Sequence, residues 1–539
     1  MKRIFLFKSF VFALLTLLST DILWAQKSGK KETTAPATQV SNPTVTSPTS
    51  STSDFDYKNP GRAKGNYSIK VKIKGLQNVP LYLADNFGDK NYMRDTCILD
   101  ENGVGVFTGN PKLQRGLYLI VFPSMASYYE LPITDDQDFY FEADTSMDES
   151  KVKVTGSEEN EAFAQFQGKM YSYGRERYKL DQELKKAKEL NNTALSTFVK
   201  AQMDSMDKLN FKVRENYIAQ YPNHLLTKIF KAFQPIKFPE NVKLDSMQEY
   251  YFYKTHFWDN IDFTEDGLIR APKGLLVNKL NDFIDRVVFQ DPDSLVSAVD
   301  QVLGKTIIHT EIQKYFVQYL TTKFQDRKIM CQDNVTVHMI NTIYCQGKAW
   351  WYDDTANLRK MCEEAKNATP TMCGKIAPNL KMQDTSGRFH ILYEKLGKVT
   401  ILFFYDPTCG HCKEVIPMVS KVHKKLKNKG VVVYAISTEG KYAEWKKMMQ
   451  VNPDVSQWIN VCKTDRNYPW PIYRQDYNIT ANPTLFVLDE NAKIIGKKID
   501  EHQLEFFVES ILYEKGLIDY KPTLPKEKPA KPSTTEANQ

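Results

Sequence analysis

A Cys-x-x-Cys motif at residues 409–412 (Cys-Gly-His-Cys) constrains this chain more than any other feature. It follows an apolar run at 399–405, which reads as a buried strand, and it opens a helical pattern of apolar residues over 415–426. This junction places the first sulfur at a helix start, where unpaired N–H groups and the helix dipole stabilise a thiolate. A thiolate attacks disulfides, and the second cysteine releases the resulting mixed disulfide.

The same spacing would also suit half of a zinc site, which needs a second pair of Cys or His ligands. No other Cys-x-x-Cys and no His-x-x-x-His occurs in the sequence. The motif therefore predicts a redox-active pair, in which Cys409 attacks and Cys412 resolves. Neither a metal nor a cofactor is expected.

Several short motifs around this pair follow one another in order, and they are Ala377-Pro378-Asn379-Leu380, Asp384-Thr385-Ser386-Gly387, Gly397-Lys398, Pro417 and Asn482-Pro483-Thr484. Together they resemble a thioredoxin-fold domain of the TlpA/ResA-like branch over residues 374–516. The resemblance implies that Pro483 is a cis-proline packed beside the disulfide. The backbone of Asn482 would then pair with an extended substrate segment. An ordinary trans proline at a strand start is the alternative.

The dipeptide between the cysteines, Gly410-His411, resembles that of protein disulfide isomerase, whose couple is more oxidising than that of thioredoxin. A protonated imidazole beside Cys409 would further favour the thiolate. Gly410 and His411 are therefore predicted to tune the redox couple. A merely solvated His411 is the other interpretation.

Three positions depart from the family pattern. Thr408 replaces the tryptophan that precedes the first cysteine, and Phe403 stands where thioredoxin has a buried aspartate. Val415 stands where some members of the branch carry a glutamate. The proton of the resolving cysteine therefore lacks an evident carboxylate acceptor, which leaves Glu414, His411 or water for this role.

The N-terminal segment has a basic start, an apolar core at 10–18 and the small residue Ala25. These features predict a signal peptide over 1–25 and place the protein in the periplasm or cell envelope. An uncleaved anchor is the alternative, and membrane contact is expected only in that case. Residues 26–60 and 519–539 are rich in Ser, Thr, Pro and Lys, which predicts a disordered tether and a disordered tail.

The sequence between tether and tail predicts a multidomain protein. Apolar residues alternate with lysines over 69–73, and similar runs follow, which indicates a small antiparallel β-sandwich at 61–156. Aromatic residues at helical spacing indicate a mainly α-helical domain at 157–365. An α/β thioredoxin-like domain is expected at 366–518. This order resembles multidomain thioredoxin-like proteins of Gram-negative envelopes.

Six cysteines lie outside the motif. Cys97 is expected to be a buried apolar residue. In an oxidising compartment an even set forms structural disulfides, but four cysteines allow three pairings, and Cys331, Cys345, Cys362 and Cys373 lie close together before the redox domain. The alternative is an electron relay to Cys409, which could also involve Cys462.

These observations predict an envelope thiol–disulfide oxidoreductase whose partners are protein thiols and disulfides together with an unidentified redox protein. A non-catalytic envelope binding protein that uses the same fold is the alternative. The net charge of +7 over 539 residues is modest and interspersed, so no nucleic-acid partner is expected. A peroxiredoxin is excluded because Leu402 and Asp406 occupy the positions of its active-site Pro and Thr. The sequence leaves the direction of electron flow open.

Overall fold

A computed structural model describes residues 66–523 except 241, 327–328, 439–441, 463–472, 498 and 500–501. The predicted signal peptide and tether, and most of the predicted tail, lie outside the described residues. The chain divides into two compact units. The first comprises residues up to Val287 together with Gly304–Tyr315, and the second comprises Val288–Leu303 and the residues from Phe316 onward. The domain boundaries given above stay predictions.

The first unit contains two four-stranded sheets within residues 66–155, ordered β4-β1-β7-β8 and β3-β2-β5-β6. Buried residues from both sheets form one core, as in a β-sandwich. Alternation in the first strand is as predicted, because Ile69, Val71 and Ile73 are buried. The strands are β1 (Tyr67–Lys74), β2 (Pro80–Phe87), β3 (Lys90–Ile98), β4 (Val104–Gly109), β5 (Gly116–Val121), β6 (Tyr128–Ile133), β7 (Asp138–Asp144) and β8 (Lys153–Thr155).

One strand pair in this sandwich is parallel, although the prediction named an antiparallel fold. β1 pairs with β7 in parallel register, with Ile69 opposite Phe139 and Val71 opposite Phe141. The physical reason is the route of the chain. The chain forms β2 and β3 of the second sheet before β4 and adds β5 and β6 to that sheet after it, and β7 then enters the first sheet beside β1 in the same direction as β1.

Helices complete the first unit: α1 (Glu158–Glu189), α2 (Thr193–Gln220), α3 (Leu225–Ala232), α4 (Ser246–His256) and α5 (Leu275–Asp282). The long helices α1 and α2 pack against each other. Phe163 and Phe166 of α1 are buried, as their spacing predicts, and pack with Tyr217 of α2. A buried ion network also holds this unit together, in which Arg270 pairs with Asp85 at 2.7 Å and also with Glu311.

The second unit begins with helices and two disulfides. The helices are α6 (Pro292–Leu303), α7 (Glu311–Asp326, with residues from Phe316 in this unit), α8 (Asp333–Met339) and α9 (Thr355–Ala368). The disulfides are Cys331–Cys373 and Cys345–Cys362, with Cα–Cα distances of 5.6 and 5.8 Å. The structure thus selects one of the three possible pairings. Cys97 and Cys462 are buried outside these disulfides.

The rest of the described second unit consists of a seven-stranded sheet and the helices that pack on it. The strand order of the sheet is β10-β9-β13-β12-β11-β14-β15. Apolar cores cover both of its faces. This arrangement confirms the predicted α/β class for the C-terminal part. The elements are β9 (Lys381–Gln383), β10 (Phe389–Ile391), β11 (Val399–Tyr405), α10 (Gly410–Leu426), β12 (Val431–Ser437), α11 (Tyr442–Val451), β13 (Ile459–Cys462), α12 (Tyr473–Asp476), β14 (Thr484–Asp489), β15 (Ile494–Lys497) and α13 (Leu504–Glu514).

Candidate active site

The central strand β11 and helix α10 position the first cysteine. Every residue of β11 is buried, and the strand lies between β12, which is parallel, and β14, which is antiparallel. A short turn follows, in which the carboxylate of Asp406 accepts hydrogen bonds from the backbone N–H and the hydroxyl of Thr408 at 2.7 and 2.8 Å. Cys409 then has extended backbone angles and is the N-cap of α10. Its sulfur therefore lies at the positive end of the helix.

The two sulfurs of the motif lie in different environments. Cys409 is half-buried, whereas Cys412 is fully buried in the apolar core beside α10. The backbone N–H of Asp406 donates to the Cys412 sulfur at 3.4 Å. Burial, chiefly, raises the pKa of Cys412 to about 12, and its hydrogen bond with Cys409 and the charges of Cys409 and Asp406 add to this effect. Cys412 is therefore a protonated thiol at neutral pH.

The loop before β14 lies against the first cysteine. The Asn482–Pro483 peptide bond is cis, as the resemblance implies. The thiol of Cys409 donates to the carbonyl oxygen of Asn482 at 3.8 Å. The side-chain amide of Asn482 in turn donates to the hydroxyl of Thr438 at 2.8 Å, just after β12. The structure thus brings Cys409, Cys412, Asn482 and Pro483 together.

Residues 397–494, which include the whole of this site, match a family model described as thioredoxin-like. This part of the chain is a thioredoxin-like domain. Two other stretches, 67–163 and 194–367, match domains of unknown function (DUF4369 and DUF5106).

Relatives of the thioredoxin-like domain include a thiol-disulfide oxidoreductase ResA of Bacillus cereus, 27% identical over 146 residues, which are 26% of this chain and 78% of that protein. ResA of Bacillus subtilis (strain 168) is 30% identical over 125 residues, covering 23% of this chain and 64% of that one. A solved domain of a possible thiol-disulfide isomerase from Cytophaga hutchinsonii ATCC 33406 is 39% identical, with a TM-score of 0.24, covering 27% of this chain and 95% of that domain. The predicted resemblance to thioredoxin-like thiol–disulfide oxidoreductases is confirmed.

Gly410 and His411 lie on the exposed first turn of α10 in the thioredoxin-like domain. His411 is thus exposed to solvent, whereas Cys412, the next residue, is buried. Glu414, one of the proton acceptors considered above, is also exposed. The roles of these residues stay predictions.

Two of the three positions that depart from the family pattern, Phe403 and Val415, lie in the buried apolar core beside the motif. Phe403 is fully buried and stacks on Tyr405 with ring centroids 5.2 Å apart. The Tyr405 hydroxyl accepts from the indole N–H of Trp445 at 2.8 Å, and burial raises the pKa of Tyr405. Val415 is buried in the same core. Neither Phe403 nor Val415 can accept a proton, and Tyr405 remains a neutral phenol.

Sequence reasoning missed two residues of this site. Asp406 acts on Cys412 through its backbone N–H and through the charge of its carboxylate. Thr438 is buried, and its hydroxyl bonds to both the Asn482 amide and the carbonyl oxygen of Tyr405. Asp406 directly precedes Pro407 in a recognisable turn, so its position was visible in the sequence. Thr438 belongs to no motif, and only the alignment of β12 beside β11 reveals its contact.

Within the described residues, no cluster of three or more His, Cys, Asp and Glu side chains is arranged to hold a metal ion. None of the helices in the described part of the chain is both long and apolar enough to span a membrane.

Proposed function

We propose that the protein exchanges disulfides with protein clients of the bacterial envelope through the Cys409–Cys412 pair. The observation that supports this proposal best is the difference between the two sulfurs. One is half-buried at a helix start, and the other is fully buried and protonated beside it. An attacking thiolate must reach a client, whereas a resolving thiol only has to reach its neighbour.

In the first step, the Cys409 thiolate attacks one sulfur of a client disulfide. A bond forms between the Cys409 sulfur and that client sulfur, the client S–S bond breaks, and the second client sulfur leaves as a thiolate. The N-terminus of α10 supports the reactive form of Cys409, because its unpaired N–H groups and its dipole favour negative charge there.

In the second step, Cys412 loses its proton and attacks the Cys409 sulfur. The Cys409–Cys412 disulfide forms, the mixed disulfide breaks, and the client leaves as a dithiol, so that the client gains the two electrons which the pair loses. The same steps in reverse oxidise a client dithiol. The direction of electron flow therefore depends on the redox protein that reduces or oxidises the Cys409–Cys412 pair between cycles.

Cys412 must lose its proton before it can attack, and burial raises the pKa of this thiol. The negative charge of Asp406 acts on Cys412. Phe403, which is buried, stands at the position of the thioredoxin aspartate, so Asp406 would take over the function of that aspartate. We assign it the role of proton acceptor, directly or through a water molecule. We assign His411, which is exposed between the two cysteines, to tuning of the redox couple rather than to this proton transfer.

The client binds along the loop of Asn482 and Pro483. The carbonyl oxygen of Asn482 lies 3.8 Å from the Cys409 sulfur, so a segment that pairs with this backbone delivers its cysteine to the nucleophile. Such main-chain pairing depends little on client sequence. Thr438 holds the loop in place through the Asn482 amide.

An oxidising compartment agrees with the two disulfides of the second unit, because such bonds persist mainly outside the cytoplasm. The predicted signal peptide at residues 1–25 points to the same compartment, although it lies outside the described residues. Membrane contact is proposed only for an uncleaved signal segment.

Trapping tests this function and separates it from the non-catalytic alternative. Cys412→Ser removes the resolving sulfur, so envelope clients should accumulate as mixed disulfides on Cys409, which non-reducing electrophoresis detects. The matched control is the double variant Cys409→Ser, Cys412→Ser, in which these adducts should be absent. The wild type should also accelerate insulin reduction by dithiothreitol, and Cys409→Ser should not. A wild type without activity in this assay, together with a Cys412→Ser variant without adducts, would support the binding protein instead.

A further inference from the structure

An open groove of about 840 Å³ runs along strand β8 of the first unit. β8 is the last strand of the β4-β1-β7-β8 sheet, and none of the other described strands pairs with its outer side. Its three residues, Lys153, Val154 and Thr155, all line the groove. Because successive residues of a strand point to opposite faces, a groove lined by all three follows the edge of the strand. An edge of this kind offers main-chain N–H and C=O groups to a ligand.

Helix α1 forms another wall of this groove. Ala164, Gly168 and Ser172 line the groove at intervals of four residues, and their small size leaves it open. The charged residues of the groove carry no net charge, because two lysines are balanced by two glutamates: Lys153, Lys169, Glu161 and Glu176. A phosphate group or a nucleic acid would need an excess of positive charge. The groove therefore suits a ligand that is itself close to neutral.

An apolar stripe on helix α2 continues the groove. Met206 of α2 lines the groove itself. Leu195, Phe198 and Leu209 lie on the same side of the helix, within about a quarter of its circumference at roughly 3.6 residues per turn. Phe198 is 60% exposed and Leu209 is 54% exposed. Large apolar side chains that are exposed in a row beside a groove indicate an interaction surface, whereas scattered ones do not.

We propose that the edge of β8 and the stripe on α2 bind an extended segment of an unfolded polypeptide. The segment pairs with β8 through main-chain hydrogen bonds and places alternate side chains in the groove, which is recognition by strand addition. Apolar side chains of the same polypeptide cover Leu209 and Phe198 and remove their surface from water. The flexible side chain of Met206 lies where these two contacts meet.

Three features favour an unfolded polypeptide over a folded partner. Strand addition needs a free extended main chain, which a folded protein offers only at an exposed sheet edge. Apolar side chains that could cover the stripe on α2 are exposed in an unfolded chain and mostly buried in a folded one. A neutral groove and main-chain pairing also demand little of the sequence that binds. That the bound polypeptide is a disulfide client rests on the proposed function, but the binding itself transfers no electrons.

Fluorescence anisotropy with the full chain tests this binding, and the probe is fluorescein-labelled α-lactalbumin that has been reduced and carboxymethylated. This probe stays unfolded and has no free thiol, so it binds without disulfide exchange. We expect saturable binding. Phe198→Ser and Leu209→Ser should each weaken it about three- to tenfold, because apolar surface that the probe covers is lost. Ser172→Trp should weaken it by a similar factor, because the indole fills the groove.

Three control variants should bind the probe as the wild type does. Phe211→Ser removes a side chain that is 64% exposed but lies on the other side of α2, about 200° from Leu209 around the helix. Ser172→Ala keeps the groove open. Cys409→Ser lacks the redox nucleophile, and its binding shows that the site works without disulfide exchange. Circular dichroism checks that the variants fold, and if Phe198→Ser does not, Leu209→Ser decides the outcome.

The proposal is overturned if the full chain does not bind the probe, or if Phe211→Ser weakens binding as much as Phe198→Ser does. A dimer in sedimentation equilibrium that Phe198→Ser dissociates, without probe binding, would make a second copy of the chain the occupant. Probe binding only by a chain that lacks residues 26–60 would make that segment the occupant. Insulin reduction without probe binding would refute this site alone, and probe binding without insulin reduction would refute the proposed function alone.

Discussion

Alkylation of the reduced protein by iodoacetamide tests the different ionisation of the two motif cysteines, because only a thiolate reacts at an appreciable rate. With a pKa of about 12, Cys412 has an ionised fraction on the order of 10⁻⁴ at pH 8. An unperturbed cysteine of pKa about 8.5 is roughly one quarter ionised at the same pH. We therefore expect Cys412 in the folded protein to react about 10³-fold more slowly than an unfolded cysteine.

The assay follows each cysteine separately by peptide mapping of samples quenched over time between pH 7 and pH 10. Cys409 should be labelled first at every pH, and the rate at Cys412 should rise about tenfold per pH unit throughout this range. In Cys409→Ser the Cys412 rate should stay low, because burial is the main cause of its raised pKa. Unfolding in urea provides the control, in which both cysteines should react alike.

Two results would contradict this reasoning. Equal labelling of Cys409 and Cys412 in the folded protein at pH 8 would show that the buried sulfur is accessible and ionised. A Cys412 rate that levels off below about pH 9 would show that the apolar surroundings seen beside α10 do not hold the proton. Either result would also remove the basis for assigning attack to Cys409 and resolution to Cys412.

Three further predictions concern other contacts. Thr438→Val removes the hydroxyl that holds Asn482, so insulin reduction should fall about two- to tenfold, whereas reaction with a small disulfide reagent should not change. Arg270→Met removes a buried guanidinium that pairs with Asp85 and Glu311, while Arg94 still pairs with Asp85 at 2.9 Å, so it should cost about 1.5–3 kcal/mol in urea unfolding, against less than about 1 kcal/mol for Lys179→Met at an exposed ion pair. Replacing both cysteines of a disulfide by alanine should lower the free energy of unfolding by an amount that grows with the enclosed loop, about 3 kcal/mol for Cys345–Cys362 and about 4 kcal/mol for Cys331–Cys373.

The chemistry of this chain is local in sequence and was therefore predictable from it. The strand 399–405, the helix that follows it and the cysteine pair between them are consecutive, so their periodicity and spacing define the junction. The alternation over 69–73 predicted a buried strand face for the same reason. The family motifs added Pro483, although it lies 74 residues after Cys409, because its neighbours are also part of the pattern.

Contacts between distant segments were decided only by the tertiary structure. Periodicity shows which face of a strand is buried but not which strand lies beside it, so the parallel pairing of β1 with β7 was missed. Four cysteines admit three pairings on any spacing, and only the packing of the helices in the second unit selects Cys331–Cys373 and Cys345–Cys362. The contact of Thr438 with Asn482 depends on β12 and β14 lying on either side of β11. Such contacts depend on how distant segments are arranged in the fold, and the hydrophobic periodicity of either segment carries no information about that arrangement.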